Sequence, residues 1–180
     1  MPNQRITLDD LLDSPISEVS AERYHDISCG HRVVGHENKC RHLHGHNYRV
    51  TFKVVQARID EVDHIGRVMD FSVIKEKLCM WLEDMWDHKF LMWEKDPLLA
   101  YLMPTNDMDT DINVPDELCE AADICAGSIV ILPFNPTAEN MAEYLVNVIG
   151  PQQLEGTGVV LQKCTVEETR KCSATFRRIA

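Results

Sequence analysis

Cys40-Arg41-His42-Leu43-His44-Gly45-His46-Asn47-Tyr48-Arg49-Val50-Thr51-Phe52-Lys53-Val54 reads as a strand with a cysteine and three histidines at its entrance. Tyr48, Val50, Phe52 and Val54 alternate with Arg49, Thr51 and Lys53, the period-two pattern of a half-buried strand over residues 47–56. Residues i and i+2 of a strand share a face, so His44 and His46 point together, toward the side that Tyr48 and Val50 bury. Neutral imidazole is a preferred zinc ligand, and two of them on one face supply half of a tetrahedral site.

A third ligand has to come from another element. Residues 23–28 read as a short strand, and His31 follows it after the small residues Ser28, Cys29 and Gly30. Antiparallel pairing of the two strands brings His31 to the pair, and three protein ligands with one open position is the arrangement of catalytic zinc. Cys40 stands between Lys39 and Arg41. Beside those cations and a zinc ion its thiolate is favoured, which suits acid/base work near neutral pH. The competing reading makes Cys40 a fourth ligand, closing the site and leaving a structural zinc module without catalysis. His25, His36, His42 and His64 read as ordinary hydrogen-bonded histidines, and Cys79 and Cys164 as small buried hydrophobes.

Downstream, Ile74, Leu78, Trp81, Leu82 and Met85 fall at helical spacing over residues 72–86, with Asp70 and Ser72 available as caps. Thr137, with Pro136 before it and Glu139 in the first turn, opens a second helix whose buried stripe is Met141, Leu145 and Val148. Gly150 and Pro151 are expected to stop that helix. Residues 159–168 and 174–179 read as closing strands, giving the order strand, strand, helix, helix, strand, strand. Asp87-His88 is a second candidate acid/base unit, although neighbours on a helix diverge. Glu168 shares parity with Cys164 and Val166 and is expected to face inward, where a carboxylate needs a hydrogen-bond donor or a cation.

Residues 91–128 are weakly patterned and read as a solvated insertion. A calcium loop begun at Asp107 would need Gly where Ile112 stands and Glu where Leu118 stands, so the acidic run Asp107, Asp109 and Asp111 fails that test. The organisation expected is an N-terminal extension over 1–21 and one domain over 22–180, with an insertion at about 92–128.

Composition narrows the function further. The chain has 180 residues, 44% hydrophobic and 26% charged, with a formal charge of −11. That balance suits a soluble globular protein and argues against a nucleic-acid partner, which needs a dominant basic surface. No apolar run approaches the roughly 18 to 20 residues of a membrane span. Asp9, Asp10, Asp13 and Glu18 occupy the region where a secretory signal would be basic and then apolar, so the expected location is the cytoplasm. Seven scattered cysteines read as reduced thiols.

With these residues in view, the chain resembles the 6-pyruvoyltetrahydropterin synthase superfamily, most closely its 6-carboxy-5,6,7,8-tetrahydropterin synthase branch. The resemblance runs from about Arg23 to Thr169. It rests on Ser28-Cys29-Gly30-His31, the Cys40 to His46 motif, Asp70-Phe71, Asp87-His88, Pro136-Thr137-Ala138-Glu139-Asn140 and Glu168-Thr169. Three residues between Cys40 and His44 look like the carboxy-forming enzymes, since animal pyruvoyl-forming enzymes usually have a longer gap. Two departures are visible: Cys29-Gly30 stands where the family commonly has two alanines, and Leu91-Met92 where it has Leu-Asn.

The resemblance implies an α+β tunnelling fold (T-fold), with a four-stranded antiparallel sheet and two helices on one face, its sheets joining into a barrel in the oligomer. It implies a homo-oligomer, commonly a hexamer of two trimers. It makes His31, His44 and His46 ligands of Zn2+, Cys40 the proton-transfer thiol, Asp87 and His88 its partner pair, and Glu168 the anchor of the pterin, with Thr169 beside it. The implied lyase reaction takes a pterin triphosphate, 7,8-dihydroneopterin triphosphate, to 6-carboxytetrahydropterin, acetaldehyde and triphosphate, toward queuosine and related 7-deazaguanines. The neighbouring activity is triphosphate elimination without carbon–carbon cleavage. Lys39, Arg41, Arg170 and Lys171 are unranked candidates for the phosphates.

Overall fold

The alternation around Tyr48 generates the centre of the sheet. The structure, a computed structural model, describes residues 18–57, 62–102 and 127–179. Strand β1 (Ser20–His31) pairs antiparallel with β2 (His44–Gln56) along its whole length, from Ser20 opposite Val55 to His31 opposite His44. Their buried face carries Ala21, Ile27 and Cys29 from β1 and Tyr48, Val50, Phe52 and Val54 from β2. Both strands run further toward the histidines than the alternation alone indicates. The positions there are glycines and imidazoles, and they do not extend the apolar pattern.

Helix α1 (residues 71–86) follows β2. Asp70 caps it, accepting a hydrogen bond from the Ser72 N–H at 2.8 Å. Its middle, Lys75–Cys79, is a π-helical turn between the α-helical Phe71–Ile74 and Met80–Trp86. The wider turn holds the buried stripe at a spacing of four residues, Ile74, Leu78, Leu82 and Trp86. The sequence placed Met85 in that stripe; with the π turn in the helix Trp86 takes the position and Met85 is exposed.

After α1 come β3 (Phe90–Trp93), the short α2 (Leu99–Leu102), β4 (Ile129–Leu132), α3 (residues 138–153), β5 (Val159–Thr169) and β6 (Cys172–Arg177). The strand order is β4-β3-β1-β2-β5-β6. Four antiparallel strands, β1, β2, β5 and β6, make the sheet expected from the sequence. Two short strands extend it, β3 parallel to β1 and β4 parallel to β3. β3 overlaps the start of the segment read as an unpatterned insertion and β4 directly follows its end; neither was assigned, because Phe-Leu-Met-Trp and Ile-Val-Ile-Leu are continuous four-residue apolar runs without alternation. The fold class is α+β with a mixed sheet. Asp107, Asp109, Asp111, Cys119, Cys125 and residues 1–17 lie outside the described residues.

Thr137 caps α3 through its side-chain oxygen, which accepts from the Asn140 N–H at 3.3 Å. The helix does not stop at Gly150-Pro151 but continues to Gln153. A π-helical turn, Leu145–Ile149, precedes the proline, the kind of ladder adjustment that carries a helix past a residue with no N–H. Gly150 serves close packing: a Cβ there would stand 2.8 Å from the Leu161 Cβ. Met141, Leu145, Val146 and Ile149 of α3 join Leu78, Leu82 and Trp86 of α1 and the buried face of the sheet in one core. Among the described residues no helix is long and apolar enough to cross a membrane.

Gly150→Ala should therefore cost about 1–3 kcal/mol through overpacking against β5, read by urea denaturation. Leu161→Ala should cost less in the Gly150→Ala background than alone, because it removes the Leu161 Cδ2 that the added methyl would meet at 3.1 Å and leaves room for the two elements to shift. Additive costs would disprove the contact.

Candidate functional site

The β1–β2 register sets the site. His31 stands opposite His44 and Cys29 opposite His46, so all three imidazoles lie on the face of Tyr48. Ring centroids are 4.5 Å apart for His31 and His44, 5.3 Å for His31 and His46, and 5.0 Å for His44 and His46. Close approach of the two backbones is possible because Gly30 and Gly45 face each other. A Cβ on Gly45 would stand 2.9 Å from the Cys29 carbonyl oxygen, and one on Gly30 2.3 Å from the Phe90 ring. The Phe90 ring thus occupies the space that any side chain at residue 30 would need.

Backbone carbonyls orient two of the rings. His31 Nδ1–H donates to the Pro136 carbonyl and His44 Nδ1–H to the His42 carbonyl, each at 2.7 Å. A carbonyl only accepts, so Nδ1 carries the hydrogen and Nε2 keeps its lone pair. The buried Nε2 atoms of His31 and His46 have no hydrogen-bond partner. Burial holds both imidazoles below their ordinary pKa, for His31 against the opposing pull of the Pro136 carbonyl. Buried nitrogens left unpaired call for a ligand, and one ligand nitrogen from each of the three histidines lies within 4.8 Å of the others. The three can hold a metal ion, and Cys40 is not part of their group.

Asp87 and His88 do meet, because the helix has ended. Trp86 is the last residue of α1, Asp87 is extended, and His88 has a left-handed backbone at φ 54°. For a non-glycine residue that conformation costs on the order of 1–2 kcal/mol. β1 holds the turn in place: the Ser28 N–H donates to Asp87 Oδ1 at 2.7 Å, and the His88 N–H donates to the Ser28 carbonyl at 2.8 Å. Asp87 Oδ2 is 2.5 Å from His88 Nδ1, and the His88 ring is otherwise open to solvent. Burial works against ionisation of Asp87, but these two hydrogen bonds outweigh it and hold its carboxyl below the usual carboxylate range.

Two cavities meet at Glu168, and His44 and His46 line the larger one. A cleft of about 1010 Å³ is lined by His44, His46, His88, Phe90, Glu168 and Thr169, among others. A pocket of about 190 Å³ is lined by Val33, Cys40, Thr137, Glu168 and Cys172. Glu168 belongs to both. It shares the inward side of Cys164 and Val166, although β5 is irregular at two steps, opposite Lys53 and Val54 and, against β6, between Glu167 and Thr169. The Tyr48 hydroxyl donates to Glu168 Oε1 at 3.5 Å, a long bond that leaves the carboxylate with acceptor capacity, and His31 Nε2 stands 3.6 Å away. Burial pushes the Tyr48 phenol up, so it stays a donor. Cys40 opens on the smaller pocket, away from His88. Cys29, the thiol nearer the cleft histidines in register, is buried and pushed up to about 12, so it stays protonated. The sequence reading missed the orienting carbonyls of Pro136 and His42, Phe90, and Lys89 on the cleft wall; backbone acceptors and one-residue contacts leave no periodic signal.

A family profile described as 6-pyruvoyl tetrahydropterin synthase matches residues 20–179. The 6-carboxy-5,6,7,8-tetrahydropterin synthase of Rickettsia felis is 28% identical over 155 residues, covering 86% of this chain and 96% of its own. The probable 6-carboxy-5,6,7,8-tetrahydropterin synthase of Halobacterium salinarum is 31% identical over 148 residues, covering 82% of this chain and 79% of its own. Among solved structures, an uncharacterized protein from Wolinella succinogenes superposes with a TM-score of 0.70 at 21% identity, covering 89% of this chain and 98% of its own. The 6-pyruvoyl tetrahydropterin synthase of Caenorhabditis elegans does so at 0.56 and 22%, covering 91% and 98%.

Since burial already keeps His31 and His46 neutral at pH 7, metal binding need not displace protons from them. Apparent metal affinity should stay nearly level from pH 8 to about 6.5, the ordinary imidazole value, and fall below it as protons compete. Competition with a chelating dye across that range checks this, and a steep fall between pH 8 and 7 would contradict it.

Proposed function

The chain belongs to the 6-pyruvoyl tetrahydropterin synthase family and is an enzyme, and from that premise we propose that it is a zinc-dependent lyase. Its reaction converts 7,8-dihydroneopterin triphosphate to 6-carboxy-5,6,7,8-tetrahydropterin, acetaldehyde and triphosphate. The observation that carries the reading is the trio of histidines, two with buried, unpaired Nε2 atoms, beside a carboxylate shared by a small pocket and a large cleft. The carboxy-forming branch is favoured over the pyruvoyl-forming one by the names of the relatives and by the short Cys40 to His44 spacing.

His31, His44 and His46 would hold the zinc, three nitrogen donors suited to it, with Cys40 outside the first coordination sphere. When bound, zinc supplies Lewis acidity toward substrate oxygens. The chain's own residues do the rest. The pterin ring occupies the smaller pocket, where Glu168 accepts hydrogen bonds from its amino edge, and Thr169 lies beside that anchor. Cys40, in the same pocket, exchanges a proton with the ring end of the substrate. The side chain extends past Glu168 into the cleft, where Asp87 holds His88 Nδ1–H and leaves Nε2 free to move a proton. β4 and β6 are the sheet's edges, and closing them in a trimeric barrel, two trimers to a hexamer, belongs to the same proposal. So does a cytoplasmic role toward queuosine and other 7-deazaguanines.

Zinc-loaded protein given 7,8-dihydroneopterin triphosphate should release acetaldehyde and 6-carboxytetrahydropterin; a pyruvoyl-pterin without acetaldehyde would move it to the neighbouring activity. Cys40→Ala should keep its zinc and lose about 100-fold or more in kcat, the scale of a general acid/base. X-ray absorption at the zinc edge should show nitrogen and oxygen neighbours only. Sulfur in the resting protein would mean a closed structural site.

A further inference from the structure

We propose that Lys89 and Arg170 form an oligophosphate subsite on the wall of the cleft and hold the phosphate tail of the substrate. The assignment rests on the reaction proposed above and adds the place of the tail and the groups that bind it. Lys89 precedes β3, and Arg170 sits in the turn between β5 and β6, yet both line the same cleft as His44, His46 and His88.

The charge pattern of the cleft runs opposite to that of the chain. Aspartate and glutamate outnumber lysine and arginine by 29 to 18, but the one carboxylate lining the cleft is Glu168, at its border with the smaller pocket. Three arginines elsewhere are neutralised where they stand. Arg32 pairs with Asp96, Arg49 with Asp26, and Arg67 with Asp63 and Asp70. Among the described residues Arg170 has no such partner. The Lys89 ammonium donates to the Gly127 carbonyl at 2.8 Å, which fixes its position while leaving two of its three hydrogens and its whole charge for an anion. The turn that presents Arg170 is ordered by the Lys171 N–H, which donates to Thr169 Oγ1 at 3.2 Å.

A guanidinium fork without a carboxylate, on the wall of a cleft that a second cation also lines, suits phosphate oxygens. The volumes agree with the division. The smaller pocket is about 190 Å³ and the cleft about 1010 Å³, far more room than the reacting carbons need. Of the four cations that the sequence offered for phosphates, only Arg170 lines the cleft; Lys39, Arg41 and Lys171 do not. The location also places the tail in the cleft that His44, His46 and His88 line.

The test uses the zinc-loaded full chain, with inorganic triphosphate as probe and zinc content measured after each titration. Wild type should bind triphosphate by calorimetry, with affinity falling as salt rises. Arg170→Glu and Lys89→Glu should each weaken it about tenfold or more, whereas Lys171→Glu, next in the turn but outside the cleft, should not. In turnover assays the first two variants should raise KM for dihydroneopterin triphosphate with kcat nearly kept, and leave binding of unphosphorylated dihydroneopterin unchanged. Unchanged triphosphate binding in the Arg170→Glu, Lys89→Glu double variant, or an equal loss in Lys171→Glu, would overturn the subsite. If triphosphate binding behaves as expected but wild type does not turn over the pterin triphosphate, the subsite stands and the proposed reaction falls. Arg170→Glu alters only an exposed turn, so the test survives misfolding of the Lys89 variant.

Discussion

The antiparallel register of β1 against β2 is the constraint from which the site follows. With His31 opposite His44 and Cys29 opposite His46, three imidazoles share the face that Tyr48, Val50 and Phe52 bury. A slip of one residue would turn β1's histidine to the other face and expose Ile27 along with it. The apolar face thus fixes the register, and the register fixes the ligand set. Gly30 and Gly45 allow the approach, and the Phe90 ring, lying where a Cβ of residue 30 would be, ties β3 to the same end of the sheet.

How far the sequence could be read depends on which interactions leave a pattern in it. The alternation from Tyr48 to Val54 located β2 and the facing of His44 and His46, and the caps Asp70 and Thr137 located both long helices. Glu168 was legible because it continues the alternation of Cys164 and Val166 along β5, even though the pairing with β6 is irregular at that step. Three features were not legible. β3 and β4 are too short and too uniformly apolar to show a period. The π turns shift the buried stripe of α1 from Met85 to Trp86 and carry α3 past Pro151, and both depend on packing between elements. The meeting of Asp87 with His88 goes with a left-handed backbone at His88, a conformation that histidine adopts more readily than most residues but still too rarely for one residue type to announce it.

That turn at His88 is the second place where the fold bears a local cost near the site. The strain at φ 54° is held by the two backbone hydrogen bonds to Ser28, so the same strand that carries His31 also aims His88 into the cleft. The buried unpaired Nε2 atoms of His31 and His46 are the first such place, each leaving a desolvated lone pair that costs roughly 1–3 kcal/mol. The unpaired nitrogens lie on β1 and β2, and the strained turn, though outside the sheet, is tied to β1 through Ser28, so both costs are borne next to well-buried strands.

An unpaired nitrogen in the core and a bound metal are two ends of one equilibrium. A ligand that binds only the folded chain adds stability in proportion to the logarithm of its concentration over its dissociation constant, and here it also removes the desolvation cost of the lone pairs it takes up. Because two of the three rings are already oriented by the Pro136 and His42 carbonyls, little ordering remains to oppose binding. Pro136 immediately precedes the cap of α3, and Asp87 immediately follows the end of α1. Metal bound to β1 and β2 is therefore coupled to the boundaries of both long helices, and its stabilisation acts on the whole core.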